Sequence, residues 1–314
     1  DQCGTDHHLA TLSHSDFESL SDSVSFYGEP FGDHSALPTM MLCQFAASEV
    51  KMVLSGDGGD ELFGGYDRYL RAAPLWMPER TSPGRQAFQR LRSAARHMIG
   101  RQGYSPPSPY AHWHQNARIF TFEELQHLIG KRLPNDPGGA PLAKRTSTCQ
   151  SWPYLSQLQY FDINAYLPGD ILTKVDIASM QHGLEVRVPL LDHKLAEFAA
   201  TIPPEFLVTR SHESGFVGKA LLKDLAERRF SRDFVHRKKQ GFGIPIAQWV
   251  GRMALPTIEE RLLGGGSEIT QFVDGAAVTK LIENNESPMR SRKIWLLMVL
   301  QQWLSKHHST TSTH

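Results

Sequence analysis

The stretch Val53–Leu54–Ser55–Gly56–Asp57–Gly58–Gly59–Asp60–Glu61–Leu62–Phe63–Gly64–Gly65–Tyr66 holds the densest chemistry in the sequence. The apolar run Val50 to Leu54 reads as a buried strand, and a glycine-rich turn follows at once. Backbone N–H groups in such a turn can approach a ligand closely. The carboxylates Asp57, Asp60 and Glu61 crowd into it, and like charges this near repel unless a cation or a proton sits among them. A strand ending in such a loop is where open α/β sheets bind nucleotides. A plain chain reversal is the competing reading, because Gly and Asp are ordinary turn residues. An EF-hand is excluded, since the position that needs glycine holds Leu62. A Walker loop is excluded too, since Gly218–Lys219 is followed by Ala220 and lacks the leading glycine.

Such a loop needs elements to hold it. Pro38 to Ser48 has helical spacing, with Met41, Leu42, Phe45 and Ala46 on one face, so residues 1 to 70 read as a nucleotide-type α/β segment. Residues 74 to 145 change character: nine of the 19 prolines fall there, and the segment reads as a helical insertion with irregular linkers rather than a second core. Within it, Gln102–Pro109 is expected to be a loop and Asn135–Pro141 a turn. Tyr160 to Tyr166 is aromatic-rich and stops at Leu167–Pro168–Gly169, after which Asp170 is placed to cap a helix running to Gln181. Residues 215 to 230 read as an amphipathic helix with Leu221, Leu222, Leu225 and Ala226 inward. Arg292 to Lys306 reads as a helix rich in Ile, Leu and Trp, and the tail Ser309–His314 as frayed.

Composition bounds the function. The chain has 314 residues, 40% hydrophobic and 21% charged, enough for a sizeable core in one or two domains. Lys plus Arg balances Asp plus Glu at 33 each, so no basic field points to nucleic acid or an anionic membrane. The longest apolar run, Ile294 to Leu300, is far short of the ~18 residues of a membrane span. The 3 cysteines form no CxxC pair and suit a reducing cytosol, so a cytoplasmic protein is expected. Asp1 onward shows no leader pattern, and without an initiating Met the chain reads as cut from something longer.

Other constellations carry weaker signals. Lys174, Asp176 and Ser179 lie close together, the last two on one helix face. Glu185 and Arg187, inside the apolar run Leu184–Leu191, read as a structural ion pair. Arg237–Lys238–Lys239, just before the glycines of Gln240–Gly241–Phe242–Gly243, is either a solvated basic face or a source of a lysine for a phosphate leaving group. His7–His8 and His112–Trp113–His114 lack the spacing of metal ligands and read as exposed or packed histidines. Cys3 is preceded by two residues and cannot be a terminal nucleophile.

Taken in order, these blocks resemble the synthetase domain of glutamine-dependent asparagine synthetases. The loop Leu54 to Tyr66 looks like that family's most specific signature, and Glu29–Pro30–Phe31–Gly32–Asp33–His34–Ser35–Ala36–Leu37–Pro38 resembles the segment leading into it. Leu167–Pro168–Gly169–Asp170 through Leu191–Asp192 is similar to a second block, and Arg237 through Pro245 to a third. The resemblance spans about residues 4 to 306 and is weakest in 74–145. It implies an α/β fold of the adenine-nucleotide α-hydrolase-like (PP-loop) type, its N-terminal strands missing and largely helical after residue 70. Residues 1–314 would then be one partial synthetase domain. The implied activity is ATP-dependent conversion of aspartate to asparagine through a β-aspartyl-adenylate, with ammonia from glutamine and a homodimer in the full-length form. Ser55 and Gly56 would contact ATP, Asp57 would serve the adenylate step, Asp60 would bind Mg2+, and Lys239 would stabilise departing pyrophosphate. A Ser-Gly-Gly-x-Asp-Ser loop, whose aspartate would be the second Mg2+ ligand, and a glutaminase domain are absent from this sequence. Ile177 also stands where relatives usually place arginine. By itself the chain is expected not to hydrolyse glutamine and to bind ATP poorly or not at all. Two rivals stand beside this reading: an amidotransferase acting on another carboxylate, such as a sugar acid, or closing an amide ring, and a non-catalytic fragment.

Overall fold

The computed structural model describes residues 3–11, 26–77, 107–130, 133, 140–211, 215–237, 241–284 and 289–311. The elements that bear on the site begin with helix α1 (Ala36–Glu49) and strand β1 (Met52–Leu54). The glycine loop then leads into the short helix α2 (Gly59–Phe63) and into α3 (Asp67–Trp76). Helices α4 (Pro109–Ala117) and α5 (Phe122–Ile129) follow, then α6 (Tyr154–Phe161), which runs through a π-helical stretch, Asp162–Leu172, into α7 (Thr173–Met180). Strand β2 (Glu185–Arg187), helices α8 (His193–Ala200) and α9 (Pro204–Leu207), the hairpin β3 (Thr209–Ser211) and β4 (Gly215–Val217), and α10 (Ala220–Glu227) come next. The chain closes with α11 (Arg232–Val235), α12 (Ile246–Arg252), α13 (Leu255–Leu263), α14 (Gly275–Glu283) and α15 (Arg290–Thr311). The described residues are largely helical, and their strands form two two-stranded sheets.

Apolar side chains collect in three clusters. The C-terminal cluster centres on Ile294, Trp295, Leu297 and Val299 of α15, packed on α12, α13 and α14. The middle cluster joins Tyr69, Leu155, Leu158, Phe161 and Leu207, and receives Trp113 from α4. The third lies where α1 meets α7 and holds Ala36, Met40, Cys43, Ala178 and Leu184. β1 pairs with β2 in parallel, Met52 opposite Glu185 and Leu54 opposite Arg187. The indole Nε1 of Trp295 donates to Gly32 O at 2.9 Å, tying α15 to the segment before α1.

Several expectations are corrected. The run Val50–Leu54 is not a buried strand: Val50, Met52 and Leu54 are exposed, because β1 is three residues long with alternating faces and only Val53 turns into the third cluster. Of the expected α1 face, Met41 packs on the C-terminal cluster and Ala46 on the third, but the buried residues include Ala36, Met40 and Cys43, because α1 is gripped by α7 on one side and the C-terminal cluster on another, and Leu42 is left facing a cavity. Asp170 caps nothing. The helix does not stop at Pro168 but widens into π geometry, the usual way a helix absorbs a proline that has no N–H and crowds the preceding turn, and Thr173 Oγ1 donates to the Pro168 carbonyl at 2.8 Å. Residues 215–217 are a strand, and α10 begins only at Ala220; none of its residues is buried and Leu225 is exposed, because α10 is a surface helix beside α9 and α11. α15 continues to Thr311, so Ser309–Thr311 belong to a helix. Of the loop expected over Gln102–Pro109, Pro107 and Ser108 are irregular and Pro109 opens α4; the rest lies outside the described residues, as does most of Asn135–Pro141. Glu185 and Arg187 do pair, at 2.7 Å on the surface, where such a bridge contributes at most about 1 kcal/mol. His112 packs against the Arg68 carbonyl and His114 stacks on Tyr110.

Candidate active site

The glycine loop is set by contacts on every side. Gly58 adopts a φ of 82°, and a Cβ there would fall on the Leu191 side chain, so both its dihedral and its surroundings require glycine. Ser55 N donates to Arg187 O at 2.8 Å, prolonging the β1–β2 ladder into the loop. The Gln159 amide of α6 donates to the carbonyls of Glu61 and Leu62 at 2.7 and 3.0 Å, satisfying groups that the short α2 leaves open. Behind the loop, Lys219 N donates to Phe63 O at 3.1 Å, and its Nζ meets Asp60 Oδ2 at 3.1 Å. Lys219 is the one described non-glycine residue with positive φ, 52°, a conformation that costs of order 1 kcal/mol and is held here by those two contacts.

The loop forms one wall of a cavity of about 810 Å³. Ser55, Gly56, Asp57 and Asp60 all line it, together with Glu61 and Tyr66. The Ser55 hydroxyl donates to Asp57 Oδ2 at 2.6 Å. Glu61 is buried and accepts a hydrogen bond from the Tyr66 hydroxyl; burial pushes its carboxyl pKa up and holds the Tyr66 phenol far above its usual range. Lys239 lies outside the described residues, but Gly241, Phe242 and Gly243, just after it, line the same cavity.

The opposite wall comes from α1 and α7. Asp33 Oδ1 accepts from Ser35 N at 3.0 Å as α1 begins, and Lys174 Nζ of α7 donates to Asp33 Oδ2 and Ser35 Oγ, both at 2.6 Å. Burial alone would push Asp33 up, but His34, Lys174 and Ser35 outweigh it and hold its carboxyl well below the usual range. Asp170 behaves oppositely: burial, and then the Asp33 charge, push its pKa up to about 7. Asp33 and Lys174 stood inside segments singled out in the sequence, yet nothing there showed that residues so far apart would meet. The proximity of Asp170 was masked by its reading as a helix cap.

The raised Asp170 pKa makes a stability statement. Ionising a carboxyl whose folded pKa exceeds its unfolded one destabilises the fold, so the cost is absent below about pH 4 and complete above about pH 7. The wild type is expected to lose melting temperature between about pH 4 and pH 7 relative to Asp170→Asn. Melting curves of both proteins check this, and parallel pH dependences would refute it.

The arrangement suits polyphosphate chemistry. Among the described residues no three His, Cys, Asp or Glu side chains gather as a metal cage. Mg2+ commonly takes only one or two carboxylates and completes its shell with waters and phosphates, and Asp60, with Asp57 beside it, fits that donor set. Comparison with known proteins identifies the lineage: the asparagine synthase family matches residues 1–305. The chain belongs to the asparagine synthase family. An asparagine synthetase (glutamine-hydrolysing) 1 of Bacillus subtilis is 30% identical over 293 residues, 91% of this chain and 45% of that protein. A Mycobacterium bovis protein provisionally named asparagine synthetase (glutamine-hydrolysing) is 28% identical, over 90% of this chain and 44% of its own length. An amidase of Penicillium rubens, chyE, is 26% identical over 92% of this chain and 47% of its length. The chain therefore spans a little under half the length of these relatives. Among the described residues, no helix is long and apolar enough to cross a membrane.

Proposed function

We propose that the protein makes an amide by activating a carboxylic acid with ATP, with aspartate as acceptor and ammonia as nucleophile. A carboxylate oxygen of the acceptor forms a bond to the α-phosphorus of ATP. The bond from that phosphorus to the bridging oxygen breaks, and pyrophosphate leaves with the electron pair. Ammonia then attacks the acyl carbon, AMP leaves, and a proton is released. The observation that carries this reading is the single cavity on which Ser55, Gly56, Asp57 and Asp60 converge opposite Asp33 and Lys174.

In this reading Ser55 and Gly56 border ATP, and Asp60 would hold a Mg2+ ion that would supply charge neutralisation for the polyphosphate. Lys239 meets the departing pyrophosphate, in the manner of a positioned cation. Asp57, held by Ser55, takes the ammonia proton. Residues 1–314 act as the synthetase portion of a cytoplasmic enzyme, residues 74–145 are a helical insertion, and a separate glutaminase supplies ammonia. The Penicillium rubens relative named an amidase favours a second acceptor as the alternative, another carboxylate in place of aspartate.

The test is exchange of labelled pyrophosphate into ATP by the native protein that carries this chain, with Mg2+ and either aspartate or a sugar acid. Aspartate-dependent exchange is expected, reduced about a hundredfold or more in Asp57→Asn, whose neutral amide cannot carry the charge that Asp57 brings to the adenylate step. Exchange with the sugar acid alone would select the other acceptor. No exchange with any acid would leave the non-catalytic reading.

A further inference from the structure

Each of the three carboxylates in the glycine loop is engaged by a different group. Asp57 accepts from the Ser55 hydroxyl, Glu61 from the Tyr66 hydroxyl, and Asp60 meets the Lys219 ammonium at 3.1 Å. Asp60 lines the cavity of about 810 Å³, whereas Lys219 is not among its lining residues and reaches the carboxylate from behind the loop. Two glycines leave room for that approach. A Cβ on Gly65 would fall on both Asp60 Oδ1 and Lys219 Cε, and a Cβ on Gly59 would lie 3.7 Å from the ammonium. Lys219 also holds a φ of 52°, which glycine would take without strain, so a side chain is kept there against a backbone preference. Backbone outliers of this kind collect where the side chain has a task.

We propose that Lys219 cancels the charge of Asp60 toward free divalent cations, so that the cavity admits Mg2+ only together with a polyphosphate. This rests on the assignment of Asp60 to Mg2+ given above and adds what controls that residue.

Electrostatics decides the sign. An ammonium in contact with a carboxylate offsets the attraction that a bare cation would feel, and it repels that cation directly. The side chains of Lys219 and Asp60 are 31% and 24% exposed, so water screens part of this effect and leaves the rest. A metal–polyphosphate complex escapes the penalty. Its phosphate oxygens bring their own negative charge and complete the shell that Mg2+ requires beside one carboxylate. Lys219 then attracts the phosphates while it repels the metal, and the two effects offset each other. A lysine that served only as a structural tie would have no bearing on which form of the cation enters.

The experiment is titration of the native protein that carries this chain with Mn2+, a paramagnetic stand-in for Mg2+. Loss of the free Mn2+ resonance signal reads binding, with and without α,β-methylene-ATP. Without nucleotide, Lys219→Met is expected to bind Mn2+ about fivefold or more tightly than the wild type, the size of effect left to a partly screened charge. Lys219→Arg keeps the charge and is expected to match the wild type. With the analogue present, the gain in Lys219→Met is expected to fall below about twofold, because the phosphates offset the missing ammonium. Lys219→Gly, which suits the positive φ, repeats the measurement if the methionine variant does not fold. Adding Asp60→Asn to Lys219→Met is expected to abolish the gain. Equal or weaker binding of free Mn2+ by Lys219→Met overturns the proposal, as does a gain that survives Asp60→Asn or is equally large with the analogue. Normal pyrophosphate exchange beside any of those results would sink this proposal alone. Analogue-borne Mn2+ that binds Asp60→Asn as tightly as the wild type would instead sink the metal role given to Asp60.

Discussion

Asp162→Asn is expected to cost about 3–5 kcal/mol of stability, the loss typical of breaking a buried ion pair from one side. Asp162 is completely buried at the start of the π-helical stretch, where four donors converge on its two oxygens. Oδ1 accepts from Arg68 Nη2 and from the Trp113 indole, both at 2.6 Å; Oδ2 accepts from Arg68 Nε at 3.1 Å and from the Tyr69 hydroxyl. An asparagine offers one oxygen and one NH2, so whichever way it turns, a donor faces two donors. Arg68 would also lose its counter-charge, keeping the rings of Tyr66, Tyr166 and Tyr69, over which its guanidinium lies at 3.9, 4.9 and 5.6 Å. Burial raises the Asp162 pKa against the pull of Arg68, so the pair survives on geometry and not on an easy charge balance. Denaturant unfolding of the variant measures the loss. A change below about 1 kcal/mol would mean that the network serves specificity and adds little stability.

Gly218→Ala is expected to be almost as damaging, about 3 kcal/mol, and to disturb the site as well. A Cβ at this position would fall on the Gly64 carbonyl oxygen and crowd Gly65 Cα, all backbone that cannot rotate away. The next residue is Lys219, whose amide bonds Phe63 and whose ammonium pairs with Asp60, so pushing the two segments apart breaks both contacts. Thermal unfolding reads the stability loss, and protection of the Lys219 amide in hydrogen exchange reads the separation. An unchanged melting temperature would show that the loop yields without cost.

The sequence made some parts legible for clear reasons. Ser55, Gly56, Asp57 and Asp60 were readable because their signal is local: residue types within a few positions of one another already state the chemistry. The α15 helix was readable because Ile294 to Leu300 is apolar beyond what a surface allows. Asp33, Lys174 and Asp170 were not readable as a unit, since α1 and α7 meet only through tertiary packing and no periodicity encodes it. Asp170 was misread because Pro168 and Gly169 before it imitate a helix stop, while Thr173 and the π geometry carry the helix across. β1 was expected to be buried because its residues are apolar, but apolar composition does not say how many neighbours a strand has, and among the described strands only β2 pairs with it.

The parallel pairing of Met52–Leu54 with Glu185–Arg187 joins segments about 130 residues apart, and it is the Arg187 carbonyl that fixes the Ser55 amide. Contacts of such long range form late, because the entropy of closing the intervening chain must be met before they reward it. The helices α6 and α7 can dock locally; the glycine loop cannot be set until β2 has arrived. On a ribosome, the earlier segment would emerge and wait, its apolar side chains uncovered, until the later strand was synthesised. The order of assembly therefore leaves the glycine loop unset, and the chain most prone to aggregate, in the interval before β2 appears.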